Sequence, residues 1–354
     1  MATSDQDLLV ETVDDIVSGH EPFVLTGERS WDEKLWASLA GAGLTGVGLD
    51  EDAGGSGGEL ADAVAVVGQL ARGAAAVPVA EQLLVAGWAA LAAGLPLPPV
   101  GEPLTFTPNG GISAAARPSG GYALTGTTAD VPWASVAAQI AVVAAGPDGP
   151  LLAVVPAAQA MLRTAPNLAG EPRSELTVDQ LEVDAGACRP LSVPQAEELR
   201  ARYALARAVQ LSAALQQTLA WTVRYAGERE QFGRPLGRFQ AIQMELAQMA
   251  GEVTAAAAAV DAAVQALDRG ADSTLAVAAA KIRAGSAVEV VARLAHQVHG
   301  AIGFTQEHRL HLLTRRLWAW RDEAGSERAW GAVLGAGVLR DGADELWPAL
   351  CRIL

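Results

Sequence analysis

The sequence is poor in cysteine, and its basic residues are outnumbered by acidic ones. Cys188 and Cys351 are its two cysteines, so a disulfide framework is excluded and a reducing compartment is expected. The 25 lysines and arginines stand against 40 aspartates and glutamates, which gives a formal net charge of −15. This balance argues against nucleic acid or an anionic membrane surface as the main partner.

Long uninterrupted hydrophobic runs are also missing. The longest apolar stretch, residues 83–100, is broken by glycine and proline and falls short of a bilayer-spanning helix. The N-terminal stretch MATSDQDLLVETVDD is acidic and lacks the apolar core of a secretory signal. We therefore expect a cytoplasmic protein that makes no use of a membrane.

The pattern of apolar and polar residues changes twice along the sequence. A length of 354 residues also favours two or three domains. Residues 1–100 show helical periodicity, residues 101–195 show short β-prone runs between glycine and proline turns, and residues 196–354 return to long helical patterns. The prediction is an α+β fold that is mainly α. It has an N-terminal α-helical domain, a small middle β domain, read as an antiparallel sheet or barrel, and a C-terminal four-helix bundle.

The third segment carries the clearest helical signal. Phe239, Ile242, Leu246, Met249 and Val253 are spaced by three and four residues, which draws one apolar stripe along a helix. The neighbouring helical patterns have alanine-rich faces. Small side chains on facing surfaces favour a tightly packed bundle.

Two short motifs are weak evidence for ligand binding. The segment 41–46, GAGLTG, matches the dinucleotide-binding glycine pattern, but a helical pattern precedes it where that motif needs a strand. We interpret it as a helix end and turn. The pairs His296/His299 and His308/His311 have a spacing that can bind a metal, yet no nearby carboxylate or cysteine completes a ligand set. No metal is predicted.

The most polar stretch of the helical region is residues 224–243, RYAGEREQFGRPLGRFQAIQ. A turn at GRPLG separates two helical patterns there, with arginines and amides on both sides. Arginine forms charge-assisted hydrogen bonds with phosphate, so this junction could receive a diphosphate and an adenine. An ordinary solvated helix hairpin explains the same residues equally well.

A family resemblance favours the first interpretation. Residues 226–250, AGEREQFGRPLGRFQAIQMELAQMA, resemble the signature of the acyl-CoA dehydrogenase flavoprotein family, and residues 296–320, HQVHGAIGFTQEHRLHLLTRRLWAW, resemble its second signature. The resemblance spans nearly the whole chain. It implies FAD, an acyl-CoA or other acyl thioester as substrate, α,β-dehydrogenation to the enoyl product, transfer of electrons to an electron-transfer flavoprotein, and at least a dimer.

The resemblance also assigns cofactor contacts across a subunit interface. Glycine is needed where the backbone approaches the cofactor closely. The positions that match the family's FAD-contacting residues are Arg229, Gln231, Phe232, Gln240, Gln297, Gly300 and Ser326.

Two positions depart from the family pattern. The family has a Trp-Ile-Thr stretch that lines the flavin, and the aligned residues here are Asp130, Val131 and Pro132. Pro132 has no backbone N–H to donate to the flavin. Trp133 either replaces the aromatic wall of the flavin site or packs inside the protein. The catalytic carboxylate is the second departure, because Ala324 precedes the Gly-Ser pair where the family carries glutamate.

A carboxylate is needed to remove the α-proton of the substrate. Glu323 is the predicted base, with Asp322 as the alternative; the family's other base position falls at about Tyr203, which has no carboxylate. A simpler interpretation is that both acids solvate a helix end near Arg315, Arg316 and Arg321.

These departures leave other functions open. Some bacterial members of the family are heteromers in which a shorter subunit completes its partner's FAD site without an active site of its own. This chain resembles that type. A related flavin monooxygenase or oxidase is a weaker alternative. The acyl group, and the choice between dimer and tetramer, are left open by the sequence.

Overall fold

The computed structural model describes residues 5–21, 23–26, 30–270, 273–342 and 344. The chain divides into two compact units, the first formed by residues 1–67 and 75–206 and the second by residues 68–74 and 207–354. The predicted boundaries near residues 100 and 195 stay a prediction.

Helices lie on both sides of a strand-rich segment, and this order confirms the predicted fold class. The described residues form the α-helices α1 (Asp5–Ser18), α2 (Glu33–Gly41), α3 (Leu60–Arg72), α4 (Val79–Glu81), α5 (Gly87–Ala92), α6 (Val193–Glu228), α7 (Gln240–Asp268), α8 (Thr274–His299), α9 (Leu310–Asp322) and α10 (Glu327–Asp341). They form the strands β1 (Leu104–Phe106), β2 (Ile112–Ala116), β3 (Tyr122–Pro132), β4 (Gln139–Gly146), β5 (Gly149–Pro156), β6 (Met161–Pro166), β7 (Pro172–Val183), β8 (Cys188–Pro190), β9 (Glu230–Gln231) and β10 (Arg234–Pro235).

The first unit contains an eight-stranded sheet in the order β6-β7-β3-β2-β4-β5-β8, with β1 paired to β4. Most neighbours are antiparallel, as predicted, but β1 and β2 both pair with β4 in parallel. The sheet is therefore mixed and larger than the alternating sequence patterns indicated. Strands β2, β6 and β8 are short or exposed on most positions, which explains why their patterns gave no signal.

The core of this sheet consists mainly of apolar side chains of β3, β4 and β5. Leu124, Ile140 and Leu152 are fully buried. Burial of side chains of this size stabilises a fold by about 2 kcal/mol each. Cys188 is a buried free thiol beside this core, whereas Cys351 lies outside the described residues.

In the second unit, α7 and α8 pack along rows of small residues. Ala256 and Ala263 of α7 and Ala280, Ala284 and Ala287 of α8 are all fully buried. Small side chains at a helix contact allow the two backbones to approach closely, so little space is left for unpaired polar groups.

The apolar stripe predicted on α7 is found on the less exposed face of that helix. Met249 and Val253 are buried, while Phe239, Ile242 and Leu246 are half-buried and their neighbours are exposed. The second half of α7 therefore packs in the core, and the first half lies at the surface of the chain.

Polar side chains inside α6 are satisfied within the helix. The hydroxyls of Thr218 and Thr222, both fully buried, donate to the carbonyl oxygens of Ala214 and Thr218 at 2.8 and 2.7 Å. This local bonding lets threonine occupy a buried helix without an unsatisfied donor.

None of the helices in the described part of the chain combines the length and the apolar character needed to cross a lipid bilayer.

Gly126 tests the packing of the sheet. Its φ is +142°, and a Cβ there would overlap the carbonyl oxygen of Gly111 on the neighbouring segment. Gly149 has a similar φ of +134° but open space around its Cα. We expect Gly126→Ala to lower the free energy of unfolding by about 3 kcal/mol and Gly149→Ala by about 1 kcal/mol, measured by urea denaturation. Equal losses in the two variants would contradict the close approach.

Candidate functional site

The first signature segment forms a short hairpin at the end of α6. Strands β9 and β10 pair antiparallel, with Gln231 opposite Arg234. Phe232 and Gly233 form the two-residue turn, with φ of +51° and +77°, the combination found in tight β-hairpin turns. The chain thus reverses just before the predicted GRPLG turn, and a single 3₁₀ turn then leads into α7.

The hairpin presents polar and aromatic groups at the surface of the second unit. The backbone of Arg229 donates to Tyr225 O and accepts from Leu236 N, each at 2.8 Å, and the residue is exposed. Phe232 is 92% exposed. The Arg234 guanidinium lies 4.1 Å from the ring centre of Phe239. The segment therefore offers guanidinium groups for binding.

Gln240 is the first residue of α7, and its side chain is exposed. No side chain caps this helix start. The first turn of α7 therefore leaves its backbone N–H groups available beside an amide and next to the hairpin.

The second signature segment begins at the last turn of α8. The amide of Gln297 donates to Glu245 of α7 at 2.6 Å. Gly300 ends α8 with φ +62° and ψ −142°, a conformation that requires glycine, and a Cβ on it would meet nothing within 4 Å. The backbone at Gly300 is thus open to close approach by another group.

Ring contacts bring the two signature segments together. The His299 ring stacks on Tyr225 with centroids 4.5 Å apart and an interplanar angle of 21°. Tyr225 lies one helical turn before Arg229, and His299 directly precedes Gly300. The structure therefore places these two predicted cofactor residues on linked segments of one unit.

An apolar depression of about 450 Å³ lies beside the second signature. His296, Gln297, Phe304 and Trp318 contribute to its wall, and His296 stacks on Phe304 at 4.3 Å. Phe304 is itself 73% exposed. This surface is apolar and open, and Gln297 is the predicted cofactor residue at its edge.

The predicted base Glu323 lies in the tight turn between α9 and α10. Ala324 and Gly325 follow it, both with positive φ (+58° and +93°). The Glu323 carboxylate accepts from Nε of Arg207 at 2.8 Å, and Arg207 is 1% exposed. The arginine that holds Glu323 therefore comes from α6 and is none of the three considered from the sequence.

The other predicted residues of this turn are exposed. Asp322, the alternative base, and Ser326 both lie at the surface of the chain. The Ser326 hydroxyl accepts from Ala329 N at 3.3 Å and so caps α10. Its capping role is compatible with a cofactor contact but does not require one.

Further side chains fix the backbone of the same turn. The ammonium of Lys281, which is 0% exposed, donates to Arg321 O at 2.7 Å and to Gly325 O at 2.9 Å. The indole N–H of Trp330 donates to Ala324 O at 2.7 Å. The turn that carries Glu323 is thus held from α6, α8 and α10.

Charged groups surround the Lys281 ammonium. Burial lowers its pKa to about 8, Glu327, Glu323 and Asp322 oppose that change, and Arg207 adds to it. Glu327 also accepts from Arg321 Nε at 2.6 Å, and glycine at position 285 leaves room for the Glu327 carboxylate.

In the first unit, Asp130 is exposed, whereas Val131, Pro132 and Trp133 are buried. Val131 is fully buried and Trp133 is 3% exposed, with the Arg173 guanidinium 5.9 Å from its ring centre. Pro132 O accepts from Thr105 Oγ1 at 2.6 Å. Trp133 therefore packs within the unit.

The weak motifs have structural roles. Helix α2 ends at Gly41, so the glycine pattern at 41–46 is a helix end and turn, as interpreted. In the part of the chain that the structure describes, no three metal-ligating side chains converge. His296 contacts Thr314 Oγ1 at 3.0 Å, and His311 Nδ1 contacts His308 O at 2.9 Å.

Sequence analysis did not identify Arg207 and Lys281, which contact the turn that carries Glu323. Lys281 lies in the alanine-rich run TLAVAAAKIRAG, two residues before Arg283, and it is fully buried. A lysine at a core position of a helical pattern is a detectable signal, because a buried ammonium must find acceptors. Arg207 stands in a similar alanine-rich run, but its partner is 116 residues away.

Two protein-family models match parts of this chain. The family of acyl-CoA dehydrogenase N-terminal domains matches residues 3–94, and the family of acyl-CoA dehydrogenase C-terminal domains matches residues 197–330. IpdE2, an acyl-CoA dehydrogenase of Mycobacterium tuberculosis, is 30% identical over 318 residues, which cover 88% of this chain and 90% of IpdE2. The chain belongs to the acyl-CoA dehydrogenase family.

Solved structures of this family share the fold. A chain of the ChsE4–ChsE5 complex from Mycobacterium tuberculosis superposes with a TM-score of 0.86 at 26% identity, covering 97% of this chain and 99% of that one. The Tcur3481–Tcur3483 steroid ACAD G363A variant gives a TM-score of 0.81 at 29% identity, covering 96% and 99%. This acyl-CoA dehydrogenase is thus an oxidoreductase of the class that acts on CH–CH groups.

The donor set of the second unit fits the ADP half of the family's flavin cofactor. An exposed guanidinium at Arg229, amides at Gln240 and Gln297, and an open backbone at Gly300 are the groups that bind a diphosphate and a nucleoside. The ring half fits less well, because Pro132 has no N–H and Trp133 is buried.

Lys281 makes the stability of the protein depend on pH. Its pKa is about 8 when folded and 10.5 in its ordinary state, so between these values the unfolded chain binds more protons. Stability should therefore rise with pH across this window, by about 3 kcal/mol in total. We expect Lys281→Met to remove this rise, measured by urea denaturation from pH about 7.5 to about 10.

The other lysine of the sequence, Lys34, provides a matched control. Lys34 is exposed, so Lys34→Met should retain the pH dependence of the wild type. Parallel pH profiles for the wild type and Lys281→Met would show that the buried ammonium is not the titrating group.

Proposed function

We propose that this chain holds FAD in an oligomeric acyl-CoA dehydrogenase that oxidises an acyl-CoA to its enoyl-CoA. Arg229, Gln231, Phe232 and Gln240 would contact the ADP half from one subunit. Gln297 and Gly300 would contact it from the partner, and Ser326 is a further proposed cofactor contact. The observation that carries this proposal is that the Arg229 hairpin is exposed and the Gly300 backbone is open, so each is accessible to a cofactor shared with another subunit.

FAD, when bound, supplies a hydride acceptor for the β-carbon of the substrate. The α-proton then needs a base, and Glu323 is the proposed one, with Asp322 as the alternative. Lys281 and Trp330 donate three hydrogen bonds to backbone carbonyls of the turn 321–325, which favours a fixed position for the carboxylate. Its bond to Arg207 would have to weaken as the carboxylate accepts the proton.

The reduced cofactor needs an electron acceptor, and an electron-transfer flavoprotein is the proposed partner. A second subunit is also required, because the two signatures serve a cofactor shared between chains. Whether the assembly is a dimer or a tetramer is left open. A steroid-derived acyl-CoA is the first substrate to test, since the structurally similar Tcur3481–Tcur3483 protein is a steroid ACAD.

A second candidate function is that of a partner subunit with no active site of its own. The Arg207–Glu323 ion pair favours it, because an almost completely buried arginine occupies the predicted base. The buried Trp133 and the donor-free Pro132 point the same way. The similar ChsE4–ChsE5 structure is a complex of two named components, so a hetero-oligomer with a homologous chain is proposed for this case.

Arg229→Ala tests cofactor binding. Loss of a charge-assisted hydrogen bond to the diphosphate should weaken FAD binding by roughly 10- to 100-fold. We expect a lower ratio of flavin to protein absorbance after purification of the assembled protein. Arg238→Ala changes another exposed arginine of the same segment and should keep the wild-type ratio. Equal flavin content in both variants would remove Arg229 from the site.

Glu323→Gln tests the base. In an anaerobic mixture with butyryl-CoA or a steroid side-chain acyl-CoA, the wild-type flavin absorbance should bleach, and the variant should bleach at least about 100-fold more slowly. Loss of bleaching in Asp322→Asn instead would move the base to Asp322. Colourless protein that gains flavin only when co-expressed with a homologous subunit, and that bleaches equally well with Glu323→Gln, would establish the second candidate.

A further inference from the structure

Four of the five histidines cluster where α8 ends and α9 begins, and the proposed function uses none of them. His296 and His299 lie in the last turn of α8, and His308 and His311 lie at the start of α9. The segment Gly300–Phe304, with the proposed cofactor contact at Gly300, lies between the two pairs. The cluster therefore surrounds a cofactor-binding segment.

His299 and His308 connect this segment to α6 through their rings. His299 stacks on Tyr225 at 4.5 Å and contacts His308 at 4.6 Å. His308 in turn lies edge-on to Trp221 at 6.2 Å with an interplanar angle of 87°. Stacked and edge-on pairs of this kind contribute about 1 kcal/mol each beyond their burial.

The hydrogen bonds of both rings require the neutral form. His299 Nδ1 lies 2.7 Å from Ala295 O, and a carbonyl only accepts, so this nitrogen carries the proton. Its Nε2 is buried with no hydrogen-bond partner in the described structure, so a second proton there would have no acceptor. His308 Nδ1 accepts from Leu310 N at 3.1 Å, and protonation of Nδ1 would break that bond.

The surroundings of the pair also oppose a positive charge. Burial lowers the pKa of His299, with His308 and His296 adding to the effect and the Ala295 bond opposing it. Burial lowers the pKa of His308 as well, followed by the charges of Arg224 and His311. The groups that face the pair are Arg224 and Tyr225 from α6, His296 from α8, and Arg309 and His311 from the start of α9, with exposed Glu307 adjacent in the chain.

The segment between the histidines packs directly on them. A Cβ at Gly303 would lie 3.0 Å from His299 Cβ and 3.2 Å from His296 Nδ1. Gly303 is buried and its backbone lies against these two side chains, so the histidines and the backbone of 300–304 pack on each other.

We propose that His299 and His308 are positioning residues, which as neutral imidazoles fix the segment Gly300–Phe304 against Tyr225, and that mild acid releases this segment. The consequence for the cofactor rests on the proposed function. Because Gly300 and Gln297 would then lose their position, acid should release FAD from the assembled enzyme.

The direction of the pH effect follows from the two states. In the unfolded segment a histidine takes up its proton near pH 6.5, whereas in the stack it does so only at lower pH. The released state therefore binds more protons as the pH falls below about 6.5, and the stack loses stability over that range.

His299→Phe keeps a flat ring against Tyr225 but cannot be protonated. The measurement is hydrogen exchange by mass spectrometry on the full chain in its FAD-loaded assembly, at pH about 7.5 and about 5.5, with rates corrected for intrinsic exchange. We expect wild-type peptides covering residues 297–306 to lose protection by about 10-fold or more in acid. His299→Phe should lose less than about 3-fold.

His20→Phe is the matched control, because His20 Nδ1 also lies near the carbonyl oxygen four residues earlier, 2.8 Å from Ile16 O, but is outside the cluster. This variant should behave as the wild type does. Equal acid sensitivity of His299→Phe and wild type would overturn the proposal.

Flavin fluorescence in the same pH series separates the two claims. FAD released at the pH at which segment 297–306 loses protection supports both. FAD retained while protection is lost would overturn the link to the cofactor. If no assembly binds FAD, the proposed function fails, but the exchange measurement still decides whether the histidines position the segment.

A second measurement covers the case in which His299→Phe does not fold. The five histidines give a small set of imidazole Cε1–H signals whose NMR shifts can be followed with pH in the wild type. Two of the clustered signals should titrate below pH 6.5 together with the loss of protection. If His299 and His308 titrate at or above about 6.5, the proposal is wrong.

Discussion

Burying a polar group in a closely packed helical unit requires a partner for it, and the organisation of the second unit depends on this constraint. The alanine rows of α7 and α8 leave no room for water beside a buried charge. The Lys281 ammonium is therefore bonded to two backbone carbonyls, and the Arg207 guanidinium to Glu323. Both cations act on the turn between α9 and α10, so one requirement of burial defines the geometry of the proposed active-site loop.

The same constraint explains the histidines. A neutral imidazole can be buried with one hydrogen bond, as His299 is, while a charged one needs two. Stacking on Tyr225 and His308 supplies apolar contact for the ring faces. The segment that ends α8 is thus held by aromatic contacts, and the turn that ends α9 is held by ionic ones.

The two ends of the proposed cofactor site differ in how they are built. The residues proposed for the ADP end are exposed, so a ligand could reach them without rearrangement of the core. The residues proposed for catalysis and for the flavin ring are already engaged within the protein. Glu323 is paired with Arg207, and Trp133 is buried in the first unit. This contrast is the physical reason to consider two candidate functions, a catalytic subunit and a partner subunit without its own active site.

Local patterns were sufficient for the order of helical and strand-rich regions, the stripe on α7 and the two signature segments, because each depends on residues close in the sequence. Strands β2, β6 and β8 were missed, because they are short or mostly exposed. The parallel pairing of β1 with β4 was not predictable, since register across 35 residues leaves no local pattern. The resemblance of the signature segments was enough to predict the family, which the comparisons confirm. The site residues themselves stay predictions.

The sequence by itself determined the order of helical and strand-rich regions and which segments carry the family's signatures, because these follow from composition and spacing along the chain. Only the tertiary structure decided that Glu323 is bound by Arg207, that Lys281 bonds the turn beside it, and that Tyr225 stacks on His299. Those partners are 116, 40 and 74 residues apart. Contacts at such separations are set by how helices pack, which no short stretch of residues encodes.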